Sequence, residues 1–153
     1  MAVAAKNLLP PGYLQPGDQI LVIEQQFQSN YYVWEEAARA AGAEMLVCPR
    51  ADDFDWTSAI LTALETAKAE AAPATATVRA EAAAAQAGDA PTPTSRIKVV
   101  SLPTVHWQDG SLLDLVAIGK AVRSIGAYFV VDGTQSVGAV PFASHFAICL
   151  LSS

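Results

Sequence analysis

Short unbroken apolar runs alternate with stretches of helical spacing along the chain. Ile20-Leu21-Val22-Ile23 follows the punctuation Pro16-Gly17-Asp18 within the 14–24 segment, and a run of this kind suits a strand buried on both faces. From Asn30 the pattern changes: Tyr31, Trp34, Ala37, Ala38 and Ala41 recur at three-to-four spacing, which predicts a helix with Asn30 as N-cap and Gly42 as its stop. A second strand is expected from Glu44 to Cys48, ended by Pro49. Ile60, Leu61 and Leu64 then share one face of a helix running from Trp56 to about Lys68. A third strand is expected over Ile97–Leu102, a loop from Thr104 to Gly110, a helix over Leu112–Ile125 closed by Gly126, and a fourth strand over Ala127–Val131 that delivers Asp132 at its carboxyl end. The order βαβα, insertion, βαβ is that of a three-layer α/β/α fold with a mainly parallel sheet.

Composition modifies this picture at one place. The apolar share of 52% is ample for a core, but much of it is alanine between Ala67 and Ala90, where Pro, Thr, Glu and Gln interrupt any packing face. This stretch reads as a disordered insertion. The chain accordingly divides into an N-terminal remnant (1–15), a first folded part (16–69), the Ala/Pro/Thr-rich insertion (70–95), a second folded part (96–142) and a divergent tail (143–153).

A net charge of −6 with nine scattered Lys and Arg argues against nucleic-acid binding, which needs clustered cations. Cys48 and Cys149 lie in separate apolar runs, as small buried hydrophobes of a reducing compartment would, and no Cys/His cluster suggests a metal. The start shows neither a secretory signal nor a transit-peptide composition, and no run of about 18 apolar residues offers a membrane span. The expectation is a soluble protein, cytoplasmic by default.

Ligands of open α/β sheets gather outside the carboxyl ends of the strands, which directs attention to 24–30, 103–110 and 132–138. The last carries the most chemistry. Tyr128-Phe129-Val130-Val131-Asp132-Gly133-Thr134-Gln135-Ser136-Val137-Gly138 sets a carboxylate at the tip of an apolar strand, followed by a turn with hydrogen-bonding side chains. Asp132 alone is equally well read as a cap on its own turn.

The string from Val130 to Ala139, with Pro141-Phe142 beyond, resembles the cofactor-binding turn of class V aminotransferases and cysteine desulfurases. The resemblance implies a partial large domain of a pyridoxal-phosphate (PLP) dependent transferase. It implies that Asp132 contacts the pyridine nitrogen and that Gln135 lies near the ring hydroxyl. A carboxylate there keeps the ring protonated, so that it draws electrons from a substrate carbanion. The segment Ser101 to Ser111 resembles the family's active-site loop and makes His106 a loop-side cofactor candidate. Trp107 stands where the family often carries Asn, so the asparagine's bond to the cofactor is not expected from it. The segment Pro16 to Asn30 resembles the strand that brings a stacking residue over the ring. It places Phe27 there, where an aromatic face clamps a flat ring and where desulfurases commonly use histidine.

The family's Schiff-base lysine lies a few tens of residues beyond the aspartate. Here no lysine follows Asp132, and Lys6, Lys68, Lys98 and Lys120 match no such position. The Gly/Thr phosphate loop upstream of the first strand has only a weak counterpart in 7–17. The resemblance thus implies an amino-acid substrate and a homodimer for intact members, and no turnover, with weak PLP binding, for these 153 residues alone. Two rivals stand beside it: a non-catalytic fragment that pairs with a full-length homologue, and an Asp132-dependent phosphotransfer or hydrolase domain. The second is disfavoured by Thr134, which stands where a second aspartate belongs, and the sequence contains neither GxxxxGK[ST] nor GxGxxG.

Overall fold

The computed structural model describes residues 8–50, 53–71, 95–139 and 148–150; for Ala71 and 148–150 it describes the backbone only. The elements are β1 (Gln19–Ile23), α1 (Gln28–Ala41), β2 (Glu44–Cys48), α2 (Trp56–Ala71), β3 (Ile97–Pro103), α3 (Leu115–Ser124), β4 (Tyr128–Asp132) and β5 (Ile148–Leu150). The strands form one sheet in the order β2-β1-β3-β4-β5, and all four pairings are parallel.

Alternate residues of β1, β3 and β4 feed two cores. Leu21, Ile23, Val100, Leu102, Phe129 and Val131 pack against α2 and α3 through Trp56, Ile60, Leu64, Ile118 and Val122. Ile20, Val22, Val99 and Val130 pack on the opposite side against Val33, Trp34 and Ala38 of α1. The expected α/β/α sandwich is therefore present, with apolar side chains on both faces of the sheet. A register shift between Gln19 and Ile20 relative to β3 brings Ile97 and Val99 to those two neighbours and keeps both faces apolar.

Local chemistry sets the helix ends. Gly42 ends α1 in the left-handed region (φ 69°), and a side chain there would in addition meet Pro16 at 3.4 Å. Asp114 caps α3 by accepting from the N–H groups of Val116 and Ala117 at 3.1 and 2.9 Å, a contribution of about 1 kcal/mol. This cap explains why the helix starts at Leu115 rather than at the expected Leu112, which instead bridges antiparallel to Val105.

One other expectation is corrected, and two elements reach further than the predicted ones. The N-cap of α1 is Phe27, not Asn30; Asn30 lies inside the first turn, 1% exposed, because Trp34 and Ser101 compete for its side chain more strongly than the helix end does. Helix α2 continues to Ala71, two residues into the segment expected to be an insertion. Strand β5 lies in the tail expected to be divergent and pairs Val130 to Asp132 with Ile148 to Leu150. The rest of the insertion (72–94), the N-terminal residues 1–7 and the side chain of Cys149 lie outside the described residues. Cys48 is buried, and burial pushes its thiol pKa up. Among the described residues no helix is long and apolar enough to cross a membrane.

From β1 the chain crosses over α1 to β2 on one side, then returns over α2 to β3 on the other. The strand order therefore reverses between β1 and β3. In open parallel sheets the crevice for ligands opens at such a reversal, outside the carboxyl ends.

Candidate functional site

A cleft lies at that reversal, lined by Gln26, Phe27 and Asn30 after β1, Pro103, Val105 and Trp107 after β3, and Asp132, Thr134 and Gln135 after β4. Three of the four residues singled out in the sequence, Phe27, Asp132 and Gln135, thus meet in one place.

Asp132 is the last residue of β4 and 6% exposed. Its Oδ1 accepts from the Thr134 N–H at 3.0 Å and from the Thr134 hydroxyl at 2.5 Å, so it caps its own turn while it faces the cleft. The turn is tied to the neighbouring loop by the Thr104–Ser136 hydroxyl pair and by the Thr104 N–H, which donates to the Asp132 carbonyl at 3.1 Å.

Phe27 is 45% exposed, and its ring meets that of Trp107 edge-on, with centroids 5.7 Å apart and planes at 83°. The Trp107 indole N–H donates to the Gln25 carbonyl at 2.8 Å. Gln25 itself has φ 55°, a conformation that non-glycine residues seldom adopt and that aims its carbonyl at the loop. An indole fastened to one backbone thereby fixes the aromatic wall of the cleft.

Below this wall a polar cluster is anchored on Ser101. Gln26 Nε2 donates to the Ser101 carbonyl (3.2 Å), Ser101 Oγ donates to Asn30 Oδ1 (3.0 Å), and the Trp34 indole donates to the same Oδ1 (3.3 Å). These partners fix the orientation of both amides, because an indole and a hydroxyl donate to an oxygen and a backbone carbonyl accepts from a nitrogen. Gln26 Oε1 and Asn30 Nδ2 are left buried without a hydrogen-bond partner. The sequence reading used Asn30 only as a cap and passed over Gln26. The available signal was the pair Asn30 and Trp34, one helical turn apart, with Gln26 inside the polar stretch after β1.

His106 does not line the cleft, contrary to its expected place beside the cofactor. It is fully buried, with its ring against Trp56 (centroids 4.7 Å) and Nδ1 2.9 Å from Asp109 Oδ2. Neither ring nitrogen has a partner in hydrogen-bond geometry, so the approach to Asp109 is a close contact rather than an aligned bond. The reason is the hairpin-like loop: His106 N–H donates to the Ser111 carbonyl and Leu113 N–H to that of Thr104, which turns His106 inward to α2 and Trp107 outward to the cleft.

Burial pushes the Asp109 carboxyl upward. The Ser111 N–H at 2.8 Å, the Ser111 hydroxyl, the Trp56 indole at 3.1 Å and the His106 ring together outweigh it and hold the pKa at about 2, below the ordinary 3.8. A depressed carboxylate pKa contributes stability above the ordinary value, and that part is lost as pH falls from about 3.8 toward about 2. Asp109→Asn is thus expected to lower the urea midpoint near neutral pH, with the gap to the parent closing below about pH 4. A gap constant from neutral pH to about pH 2 would contradict this assignment.

No family profile matches the chain. Over 125 residues it is 26% identical to a cysteine desulfurase of Pectobacterium carotovorum, a match that covers 82% of this chain and 24% of that protein. Among solved structures, the apo cysteine desulfurase of Thermococcus onnurineus superposes with a TM-score of 0.61 at 18% identity, over 90% of this chain and 27% of its own. A C-DES mutant with glycine covalently linked to the PLP cofactor superposes with a TM-score of 0.63 at 16% identity, over 99% and 39%. The chain has the fold of the PLP-dependent transferase large domain. It spans about a quarter of the length of the matched curated relative.

Asp132 and Gln135 beside a half-exposed aromatic face suit a flat, cationic, hydrogen-bonding ring such as that of PLP. Among the described residues no group of three or more His, Cys, Asp or Glu could hold a metal.

Proposed function

We propose that this cleft is the ring-binding half of a PLP site derived from a class V aminotransferase or desulfurase-like enzyme. The observation that carries the reading is the convergence of Phe27, Asp132 and Gln135, drawn from β-strand ends about a hundred residues apart, at the reversal of strand order.

In this reading Asp132 holds a proton at the pyridine nitrogen, Gln135 bonds the ring hydroxyl, and Phe27 stacks on the ring plane. The edge contact with Trp107 keeps the Phe27 ring from turning. Bound there, PLP supplies the electron sink for carbanion chemistry on an amino acid. No lysine stands among residues 133–153, so these 153 residues bind the cofactor without a covalent link and do not turn over substrate. A lysine supplied from elsewhere in a longer protein would complete the site for transamination or related chemistry.

Titration of the chain with PLP tests this. The expected result is saturable quenching of tryptophan emission, reversed by dialysis, with no adduct in the cleft after borohydride treatment. Trp107, half-exposed at the rim, is the reporter, since Trp34 and Trp56 are buried. Absence of saturable binding, or an absorbance band that survives dialysis and maps to a lysine in the cleft, would refute the reading.

A further inference from the structure

The two carboxylate oxygens of Asp132 are used unequally. Oδ1 accepts from both donors of Thr134, the backbone N–H and the hydroxyl. Oδ2 accepts no hydrogen bond among the described residues, and it is not one of the polar atoms closed off from the surface. The backbone beneath is already fixed: Asp132 pairs with Pro103 on one side and with Leu150 on the other, and its carbonyl accepts from the Thr104 N–H. What remains to be set is the plane of the carboxylate.

That torsion is soft. Rotation about the last bond of an aspartate side chain is broad, so a single donor lets the group swivel. Two donors that converge on one oxygen hold the plane, and with it the direction in which the other oxygen points. Any residue but proline would supply the backbone N–H at position 134, whereas the short hydroxyl beside it comes only from threonine or serine. The ring N–H of a pyridinium is a single directional donor, and its bond weakens steeply as the acceptor moves off line.

We infer that Thr134 is a positioning residue: its hydroxyl engages Oδ1 of Asp132, so that Oδ2 is presented to the ring nitrogen of a bound cofactor. This rests on the PLP reading above and adds to it a residue that acts on the ring nitrogen through Asp132.

The test titrates PLP and its 1-deaza analogue, in which a C–H group replaces the ring nitrogen, into the whole chain by calorimetry. The parent is expected to bind PLP at least about tenfold tighter than the analogue. Thr134→Val keeps the shape of the side chain and removes the hydroxyl, and since Thr134 is exposed the core is left intact. This variant is expected to bind PLP about tenfold more weakly than the parent and the analogue within about twofold of it. Thr134→Ser, which keeps a hydroxyl, is expected to hold PLP within about threefold of the parent. A loss that falls equally on PLP and the analogue means that Thr134 only shapes the turn, and it overturns the inference; so does an unchanged PLP affinity in Thr134→Val. Both leave the PLP reading standing. Equal affinity of the parent for the two compounds shows that no acceptor meets the ring nitrogen, and it overturns the inference as well. Binding of neither compound overturns the PLP reading and the inference with it.

Discussion

Asp132→Asn is expected to weaken PLP binding by about 100-fold while changing stability by less than about 1 kcal/mol. The two effects separate because the carboxylate has two tasks on two different atoms' worth of chemistry. Its Oδ1 accepts from the N–H and hydroxyl of Thr134, and an asparagine carbonyl oxygen can take over both bonds. Charge, in contrast, is lost outright. At 6% exposure a negative side chain facing a pyridinium is largely desolvated, and removal of one partner from such a pair costs about 2–5 kcal/mol. Trp107 emission gives the dissociation constant, and thermal unfolding gives the stability. If the variant binds PLP as tightly as its parent, Asp132 serves its turn and nothing else, and the PLP reading loses its main electrostatic support.

Much of the frame was legible because parallel strands buried on two faces leave continuous apolar runs. Glu44–Cys48 appears in the structure with the boundaries read from the sequence, and Ile20–Ile23 and Ile97–Leu102 each fall one residue short of the strand observed. Helix starts were less legible. Asn30 and Leu112 have the local signals of a start, but Asn30 is drawn into contacts with Ser101 and Trp34, and Leu112 into a bridge with Val105. Asp132 and Gln135 sit within one turn of each other, so their joint role could be read locally. Phe27 lies far away along the chain and reached the site only through resemblance, to be placed there independently by the reversal of strand order. His106 shows the opposite case. A loop histidine looks available for chemistry, and only the cross-strand bonds from His106 to Ser111 and from Leu113 to Thr104 reveal that it faces inward. The Gln26 and Asn30 amides were illegible for a similar reason: an unmet hydrogen-bond demand exists only once every neighbour has a position.

Trp56→Ala is expected to be the most damaging single substitution on the α2 side, with a loss of about 3–5 kcal/mol against a total of about 5–15 for a domain of this kind. Trp56 is 1% exposed, stands in the first turn of α2 and packs with Ile60 and Leu64 into the larger core. Its indole also covers His106 and donates to Asp109, so truncation removes volume and leaves the buried His106 ring and the Asp109 carboxylate without their neighbour. Trp56→Phe separates the contributions: the ring still fills most of the space, and the lost N–H bond to Asp109 costs about 1–2 kcal/mol. Urea unfolding of both variants gives the comparison, and equal losses would show that the bond, not the packing, holds the loop. The effect should reach the cleft as well. Trp107 follows His106 directly, and the bonds that turn one inward turn the other outward to grip Gln25 and brace Phe27. A folded Trp56→Phe protein that binds PLP several-fold more weakly would show that the aromatic wall of the cleft is positioned from the core on the other face of the sheet.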